Sequence, residues 1–286
     1  RIKCSDLIVG DYSWDAAPET IWYSSENKNV LSDLPETCFG MTMYKPASSS
    51  DKYMPYQHKV MVIDPAGNGG DEVAFGIGGA SNSYIHLFTV GGLKGGMSEE
   101  NMTTLINLAV EMEVTDIKVE ANMGHGVVSS LLIGQAEKMG IRGLGFEDFY
   151  AKGQKEKRII DTISPVTRRH KLIVHRRALE DDWHYCQQHA RDKRTVTSFM
   201  YQLVNITYDR GSLVHDDRLD TVQGVVQFLS EVLVVDDEKE AQRRTLAAAK
   251  EFYTNPMGYI KPSNKSTNRS TKGRPSRRPI RATGRR

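Results

Sequence analysis

Two short apolar segments of the chain each end in an acidic residue and lead into a glycine-rich turn. Residues 59–64 read KVMVID and are followed by PAGNGG, and residues 117–120 read IKVE and are followed by ANMGHG. Apolar, β-branched runs of this length that are closed by glycines predict buried strands. Because an acid cannot lie in a core without a partner, we expect Asp64 and Glu120 to point into a crevice at the edge of a sheet.

The periodicity of the surrounding sequence predicts a mixed α/β sheet. Residues 60–64, 72–80 and 84–90 indicate three strands of an antiparallel meander, and Ser98 indicates the N-cap of a helix over residues 98–112. Further strands are predicted at 114–120, 141–146 and 172–174, and further helices at 127–139, 155–167, 179–189, 197–207 and 219–234. A meander followed by alternating strands and helices is typical of a central mixed sheet flanked by helices.

A third acidic segment, HDDRLD at residues 215–220, opens the most regular of these helices. Asp217 and Asp220 are three positions apart and Asp216 and Asp220 are four apart, so two carboxylates can project from one helix face. Taken singly, Asp216 and Asp217 are better explained by capping of the helix N-terminus, and Asp64 and Glu120 by ordinary turn or ion-pair roles. The joint pattern favours a metal site.

An all-carboxylate site favours magnesium or manganese over zinc. Hydrolysis of a phosphodiester requires an activated water and neutralisation of charge on the phosphate, and a pair of divalent ions held by three or four carboxylates supplies both. Five basic residues can position a nucleic-acid backbone beside the acids, although a solvated helix face explains them equally well. They are Lys155, Lys157, Arg158, Arg168 and Arg169.

Composition excludes several other classes. The 286 residues are 39% hydrophobic and suffice for a packed core, while the three cysteines are widely spaced and suggest neither a disulfide framework nor a zinc cluster. The sequence contains no GxxxxGK[ST] motif, so that we expect no phosphate loop, and no apolar run long enough to suggest a membrane span. We expect a reducing, cytoplasmic setting and no organic cofactor.

Charge is distributed unevenly along the chain. Residues 261–286 contain ten basic residues and no acid. Since the whole chain carries +2 and this segment +10, the first 260 residues carry −8. A basic, apolar-poor segment predicts a disordered tail that attaches to nucleic acid or to an acidic partner, or simply a solubilising extension.

The segments VIDPA (62–66), VEAN (119–122) and HDDRLD (215–220) together resemble the nuclease half of the large terminase subunit of tailed double-stranded DNA bacteriophages, closest to the short-tailed type. The resemblance spans about residues 59–235. It implies a ribonuclease H-like, RuvC-like fold that binds two magnesium or manganese ions and cuts concatemeric viral DNA during packaging. By position it implies Asp64, Glu120 and Asp217 as catalytic acids and metal ligands, with Asp216 and Asp220 as alternates for the third.

The same resemblance implies a domain organisation and partners. Residues 1–57 are expected to be an inter-domain linker or the trailing part of an N-terminal ATPase domain, residues 58–258 the nuclease domain, and residues 259–286 the basic disordered tail. The implied partners are double-stranded DNA, the ATPase domain of the same polypeptide, the capsid portal and a small terminase subunit, in the host cytoplasm. Two alternatives stay open: a ribonuclease H-fold junction resolvase, and a catalytically silent docking module for the portal or the packaging motor.

Overall fold

This computed structural model describes residues 2–38, 40–65, 72–121 and 126–254. The glycine-rich turns predicted after Asp64 and Glu120, the basic tail and the predicted domain end at residue 258 therefore lie outside the described residues, wholly or in large part. The chain divides into two units, residues 1–237 and 238–286. The first unit contains every described strand, and the described part of the second is helical.

The described part of the chain contains eleven strands. They are β1 (Ile8–Gly10), β2 (Ala16–Pro18), β3 (Ile21–Trp22), β4 (Ser48–Ser49), β5 (Tyr53–Pro55), β6 (His58–Asp64), β7 (Val73–Ser81), β8 (Tyr84–Leu93), β9 (Asp116–Glu120), β10 (Gly145–Phe149) and β11 (Leu172–His175). Seven of them form one sheet in the order β1, β11, β8, β7, β6, β9, β10, and β2–β5 and β3–β4 form two small antiparallel pairs.

The main sheet is mixed, as predicted. Strands β6, β7 and β8 form the expected antiparallel meander, and β9 and β10 add to β6 in parallel. On the other side of the meander, β11 and β1 add to β8 in parallel. Because β6 and β9 run in the same direction, their carboxyl ends meet at one edge of the sheet.

The helices cover both faces of this sheet. They are α1 (Glu99–Glu111), α2 (Val127–Lys138), α3 (Lys155–Arg168), α4 (Arg176–Cys186), α5 (Arg194–Thr197), α6 (Phe199–Asn205) and α7 (Asp217–Thr254), with short 3-10 helices at Cys4–Asp6, Asn27–Asn29 and Glu36–Cys38. One core packs apolar residues of α3, α4, α6 and α7 against the sheet, and a second packs those of α1 and α2 against its opposite face. Among the described residues, no helix combines the length and the apolar character needed to cross a membrane.

Helix α7 approaches the sheet closely because glycines line the contact. A Cβ atom on Gly224 would lie 2.9 Å from Cγ1 of Val62 in β6, and one on Gly78 of β7 would lie 2.7 Å from Cγ1 of Val225. A Cβ atom at either position would displace its neighbour, so these glycines set the short distance between α7 and the strands. That distance brings the first turn of α7 to the edge where β6 and β9 end.

Two predicted elements are placed differently in the structure. The fifth predicted strand, 141–146, is wrong in position: the chain turns through Gly140 and Gly143 in left-handed conformations, and the strand begins at Gly145. The helix predicted over 197–207 is divided, because Ser198 has an extended conformation and its hydroxyl accepts from the amide of Tyr201 as the N-cap of α6.

Part of the segment that we assigned to a linker or a preceding domain also lies in the sheet. Strand β1 pairs in parallel with β11, with Ile8 opposite Ile173 and Gly10 opposite His175. At least the three residues of β1 therefore belong to the sheet that contains the candidate site. The proposed boundary at residues 57 and 58 otherwise stays a prediction.

Candidate metal centre

Two of the predicted acids lie side by side at the edge of the sheet. In the parallel pair β6–β9, Ile63 is opposite Val119, so that Asp64 and Glu120 follow at adjacent strand ends. Asp64 and Glu120 are the two strand-end acids that the sequence predicted. Glu120 is 5% exposed, so its carboxylate lies within the fold rather than in open solvent.

A third carboxylate reaches them from α7. The ligand oxygens of Asp64, Glu120 and Asp220 lie within 4.8 Å of one another. Asp220 lies one turn into α7, its amide donates to the carbonyl oxygen of Asp216 at 2.9 Å, and its side chain is 3% exposed. In the described structure, this group of three acids is the arrangement whose oxygens are close enough to share a cation.

The other two candidate acids lie at the start of α7. Asp216 and Asp217 each approach Lys155, with Nζ–Oδ1 distances of 2.7 and 3.9 Å. Asp217 also raises the pKa of Asp64, so that its charge acts on the same centre. Our assignment of Asp217 as the third ligand stays a prediction, and the distances between carboxylate oxygens favour its alternate Asp220.

Two cations of α3 lie inside this acidic cluster. Lys155 Nζ is 3.3 Å from Oδ2 of Asp220, and Arg158 Nη2 is 2.5 Å from its Oδ1. Arg158 Nε also donates to Gln223 one turn further along α7, at 2.9 Å. Lys155 and Arg158, which the sequence suggested as DNA contacts, therefore neutralise part of the carboxylate charge.

The pKa values of the centre reflect burial first and neighbouring charge second. Burial, together with the nearby charges of Glu120, Asp217 and Asp220, raises the pKa of Asp64 to about 8, although Lys155 acts in the opposite direction. Burial lowers the pKa of Lys155, but Asp220 and Asp216 outweigh that effect and hold it above the usual range. The centre thus holds protons more tightly than isolated carboxylates do, and a divalent cation would relieve the same repulsion.

The remaining predicted basic residues lie elsewhere on α3 or, in the case of Arg169, directly after it. Lys157, Arg168 and Arg169 are exposed. Arg168 is thirteen residues beyond Lys155, which corresponds to about 20 Å along the helix. The five residues therefore do not form one cluster, and their contact with DNA stays a prediction.

A buried ionic network, which was not predicted from the sequence, lies beside the acids. Arg218, between Asp217 and Asp220, is fully buried and donates to both oxygens of Glu72, at 2.6 and 2.8 Å. Its Nη1 donates to Oδ1 of Asp182 at 2.8 Å. The segment HDDRLD contained a signal for this network. Its arginine lies on the same helix face as the apolar residues of α7, which point into the core.

The donors of the centre suit a hard divalent cation. Asp64, Glu120 and Asp220, with Asp216 and Asp217 close by, offer carboxylate oxygens, which are the ligands that magnesium and manganese prefer. These residues come from two parallel strand ends and a helix packed across them, and a site of this kind opens at the edge of the sheet.

Comparisons with known proteins agree with this architecture. Residues 63–172 match the family described as "Terminase Bacteriophage T7, Ribonuclease H-like domain". The large terminase subunit of Enterobacteria phage T3 is 30% identical over 261 residues, which cover 90% of this chain and 44% of that protein. The chain thus spans less than half the length of this relative.

Among solved structures, nuclease domains of terminases match this chain at TM-scores below 0.5. The human cytomegalovirus terminase nuclease domain has a TM-score of 0.46 at 9% identity. This match covers 63% of this chain and 87% of that domain's chain. The nuclease domain of the large terminase subunit of bacterial virus Sf6 has a TM-score of 0.39 at 10% identity, with coverages of 60% and 88%.

The fold and the acidic edge define a ribonuclease H-like domain, and the matched segment contains Asp64 and Glu120 at its start and middle. Over residues 63–172 the chain matches the terminase ribonuclease H-like domain family, and over 90% of its length it is similar to a terminase large subunit. The resemblance stated from the sequence is confirmed, as is the fold class.

Proposed function

We propose that this domain is a metal-dependent endonuclease that cuts double-stranded DNA during packaging of a viral genome. One observation carries the proposal: acids from two parallel strand ends and from the helix across them converge until their oxygens lie within 4.8 Å. Such close carboxylates repel each other unless a proton or a cation lies between them. A pair of magnesium or manganese ions fits both the number and the chemistry of these donors.

Asp64, Glu120 and the α7 acids would hold the ions. When bound, such ions lower the pKa of an attacking water and neutralise charge on the phosphate. Oxygens of Asp64, Glu120 and Asp220 lie within 4.8 Å of one another, and the charge of Asp217 also acts on Asp64, so these acids would hold the ions together.

Lys155 and Arg158 have a second task in this proposal. In the structure, Lys155 pairs with Asp216 and Arg158 with Asp220. A phosphodiester backbone offers the same kind of anionic oxygens, so the two cations can turn to the DNA strand once the carboxylates bind cations instead. Such contacts hold a backbone without reading its sequence.

The wider context follows from the relative. The T3 protein is a large terminase subunit, and this chain corresponds to 44% of it. We infer that the domain acts beside an ATPase domain of the same polypeptide, on concatemeric DNA, with the capsid portal and a small terminase subunit as partners in the host cytoplasm.

Cleavage of supercoiled plasmid tests the proposal. The parent protein is incubated with magnesium, manganese or EDTA and compared with Asp64→Asn, Glu120→Gln, Asp217→Asn and Asp220→Asn, while Glu137→Gln on the exposed face of α2 serves as the matched control. We expect metal-dependent cleavage that falls by a factor of about 100 or more in the Asp64 and Glu120 variants. The α7 variant with the larger loss identifies the third ligand.

The opposite results are equally informative. A folded parent that does not cut with either metal, or cleavage that survives all four changes, contradicts the nuclease and favours the docking module. Adding a four-way junction and linear duplex to the panel separates the packaging nuclease from a junction resolvase, since a resolvase prefers the branched substrate.

A further inference from the structure

Arg218 is the centre of a buried network at the start of α7. Its Nε and Nη2 donate to the two oxygens of Glu72, and its Nη1 donates to the carbonyl oxygen and to Oδ1 of Asp182, at 3.0 and 2.8 Å. Glu72 is also held by His189, whose Nε2 lies 2.8 Å from Oε2. The guanidinium thus uses its planar fork on two carboxylates that belong to different parts of the fold.

Both partners of Arg218 are anchored. Glu72 directly precedes β7, which is the strand that pairs with β6. Asp182 lies in the middle of α4. The carboxylate of Asp182 also accepts from the amide of Phe199, the first residue of α6, at 2.9 and 3.1 Å. The network therefore connects the first turn of α7 to the sheet and to two helices at once.

The position of Arg218 on α7 gives this connection a consequence for the acids. Arg218 directly follows Asp217 and lies two residues before Asp220. A carboxylate oxygen lies about 6 Å from the helix axis, so a rotation of the helix by about 20° moves it by about 2 Å. Because magnesium accepts ligand distances only within a few tenths of an ångström, such a rotation would separate the α7 oxygens from those of the strand-end acids.

We propose that Arg218 is a positioning residue of the metal centre: its guanidinium, held by Glu72 and Asp182, sets the rotation of α7 and so places Asp217 and Asp220 opposite Asp64 and Glu120. This inference rests on the proposed function. An apolar side chain of the same volume would fill the space and bury the helix as well as an arginine does. What the arginine adds is a directional contact that an apolar side chain lacks.

Manganese binding to folded variants, measured by isothermal titration calorimetry, tests this role without depending on cleavage. Arg218→Lys keeps the charge but loses the planar fork, and Glu72→Gln keeps a hydrogen-bond acceptor but weakens the pair. We expect manganese affinity to fall by about tenfold or more in Arg218→Lys, and by a smaller factor in Glu72→Gln. The melting temperature of each variant is recorded beside its affinity.

A destabilised control separates positioning from general stability. Leu105→Ala removes a fully buried side chain of α1 on the opposite face of the sheet, and we expect a lower melting temperature with unchanged manganese affinity. If Arg218→Lys does not fold, Glu72→Gln decides. Folded variants that bind manganese within about twofold of the parent, or a Leu105→Ala variant that weakens binding as much, overturn the inference.

The failure of the proposed function has a different signature. If the parent binds no manganese, the metal centre itself is wrong and the role of Arg218 falls with it. If the parent binds manganese and the Arg218 and Glu72 variants bind it equally well, the centre stands and only the positioning role is contradicted.

Discussion

The carboxyl group of Asp64 lies among like charges. Burial and the charges of Glu120, Asp217 and Asp220 raise its pKa to about 8, so that below this pH the site holds a proton where a cation would bind. Proton and metal therefore compete for the same oxygens. This competition makes the chemistry of the centre depend on pH in a predictable direction.

Manganese affinity should rise with pH up to about 8 and level off above it. If binding displaces one proton from Asp64, the apparent affinity increases by up to about tenfold per pH unit between about pH 6 and pH 8. Calorimetry in buffers of different ionisation enthalpy measures both the affinity and the proton released. An affinity that is independent of pH across this range would show that Asp64 is not protonated before metal binds.

The same pKa predicts the stability of the metal-free protein. Because the folded pKa of Asp64 is about 8 and the unfolded value is about 3.9, this group stabilises the fold fully below the unfolded value, and the contribution is lost as the pH rises through the folded one. Asp64→Asn removes the charge, so we expect the variant to be more stable than the parent at about pH 8 by roughly 1–3 kcal/mol. Denaturant titration should show this advantage shrinking as the pH is lowered towards 4.

Among the elements, α7 and the strands that it crosses decide whether the centre exists. The strand-end acids were predictable because strand periodicity, an acid and glycines are adjacent in sequence. The choice between Asp217 and Asp220 was not, because both project from the same side of a helix at this spacing. The rotation of α7 depends on contacts such as Arg218 with Glu72, which are 146 residues apart and leave no local pattern.

Close packing of α7 gives a direct test at this scale. Gly224→Ala introduces a methyl group about 2.9 Å from Val62 Cγ1, where the β-branched side chain cannot turn aside. We expect the variant to lose about 1–3 kcal/mol of stability, despite the better helix propensity of alanine, and to bind manganese more weakly.

The control for that change is the pair Gly224→Ala with Val62→Ala. Removing the methyl groups of Val62 makes room for the new Cβ atom, so the double variant should be more stable than the sum of the single effects predicts. Additive losses would indicate that the contact between α7 and β6 does not set the helix position.

At the scale of the whole molecule, charge separates the body from the tail. The first 260 residues carry −8 and residues 261–286 carry +10. The sheet, its two faces and the acidic edge were predictable from periodicity. The joining of β1 to β11 was not, because a three-residue edge strand has too short a pattern to detect.

If the proposed function holds, the charge distribution predicts how DNA binding depends on the tail. An acidic body repels duplex DNA, so deletion of residues 261–286 should weaken binding and lower the dependence of affinity on salt concentration. Fluorescence anisotropy with duplex DNA at several salt concentrations measures both quantities. Unchanged affinity at low salt after the deletion would exclude the tail as a DNA contact.

The most direct test of the central claim is to locate manganese in crystals of the domain by anomalous diffraction. We expect anomalous peaks among the oxygens of Asp64, Glu120 and the α7 acids, with Lys155 moved away from Asp220, and no such peaks in Asp64→Asn crystals. Crystals soaked at saturating manganese that show no peak at this edge, or a peak that persists unchanged in Asp64→Asn, would contradict the account.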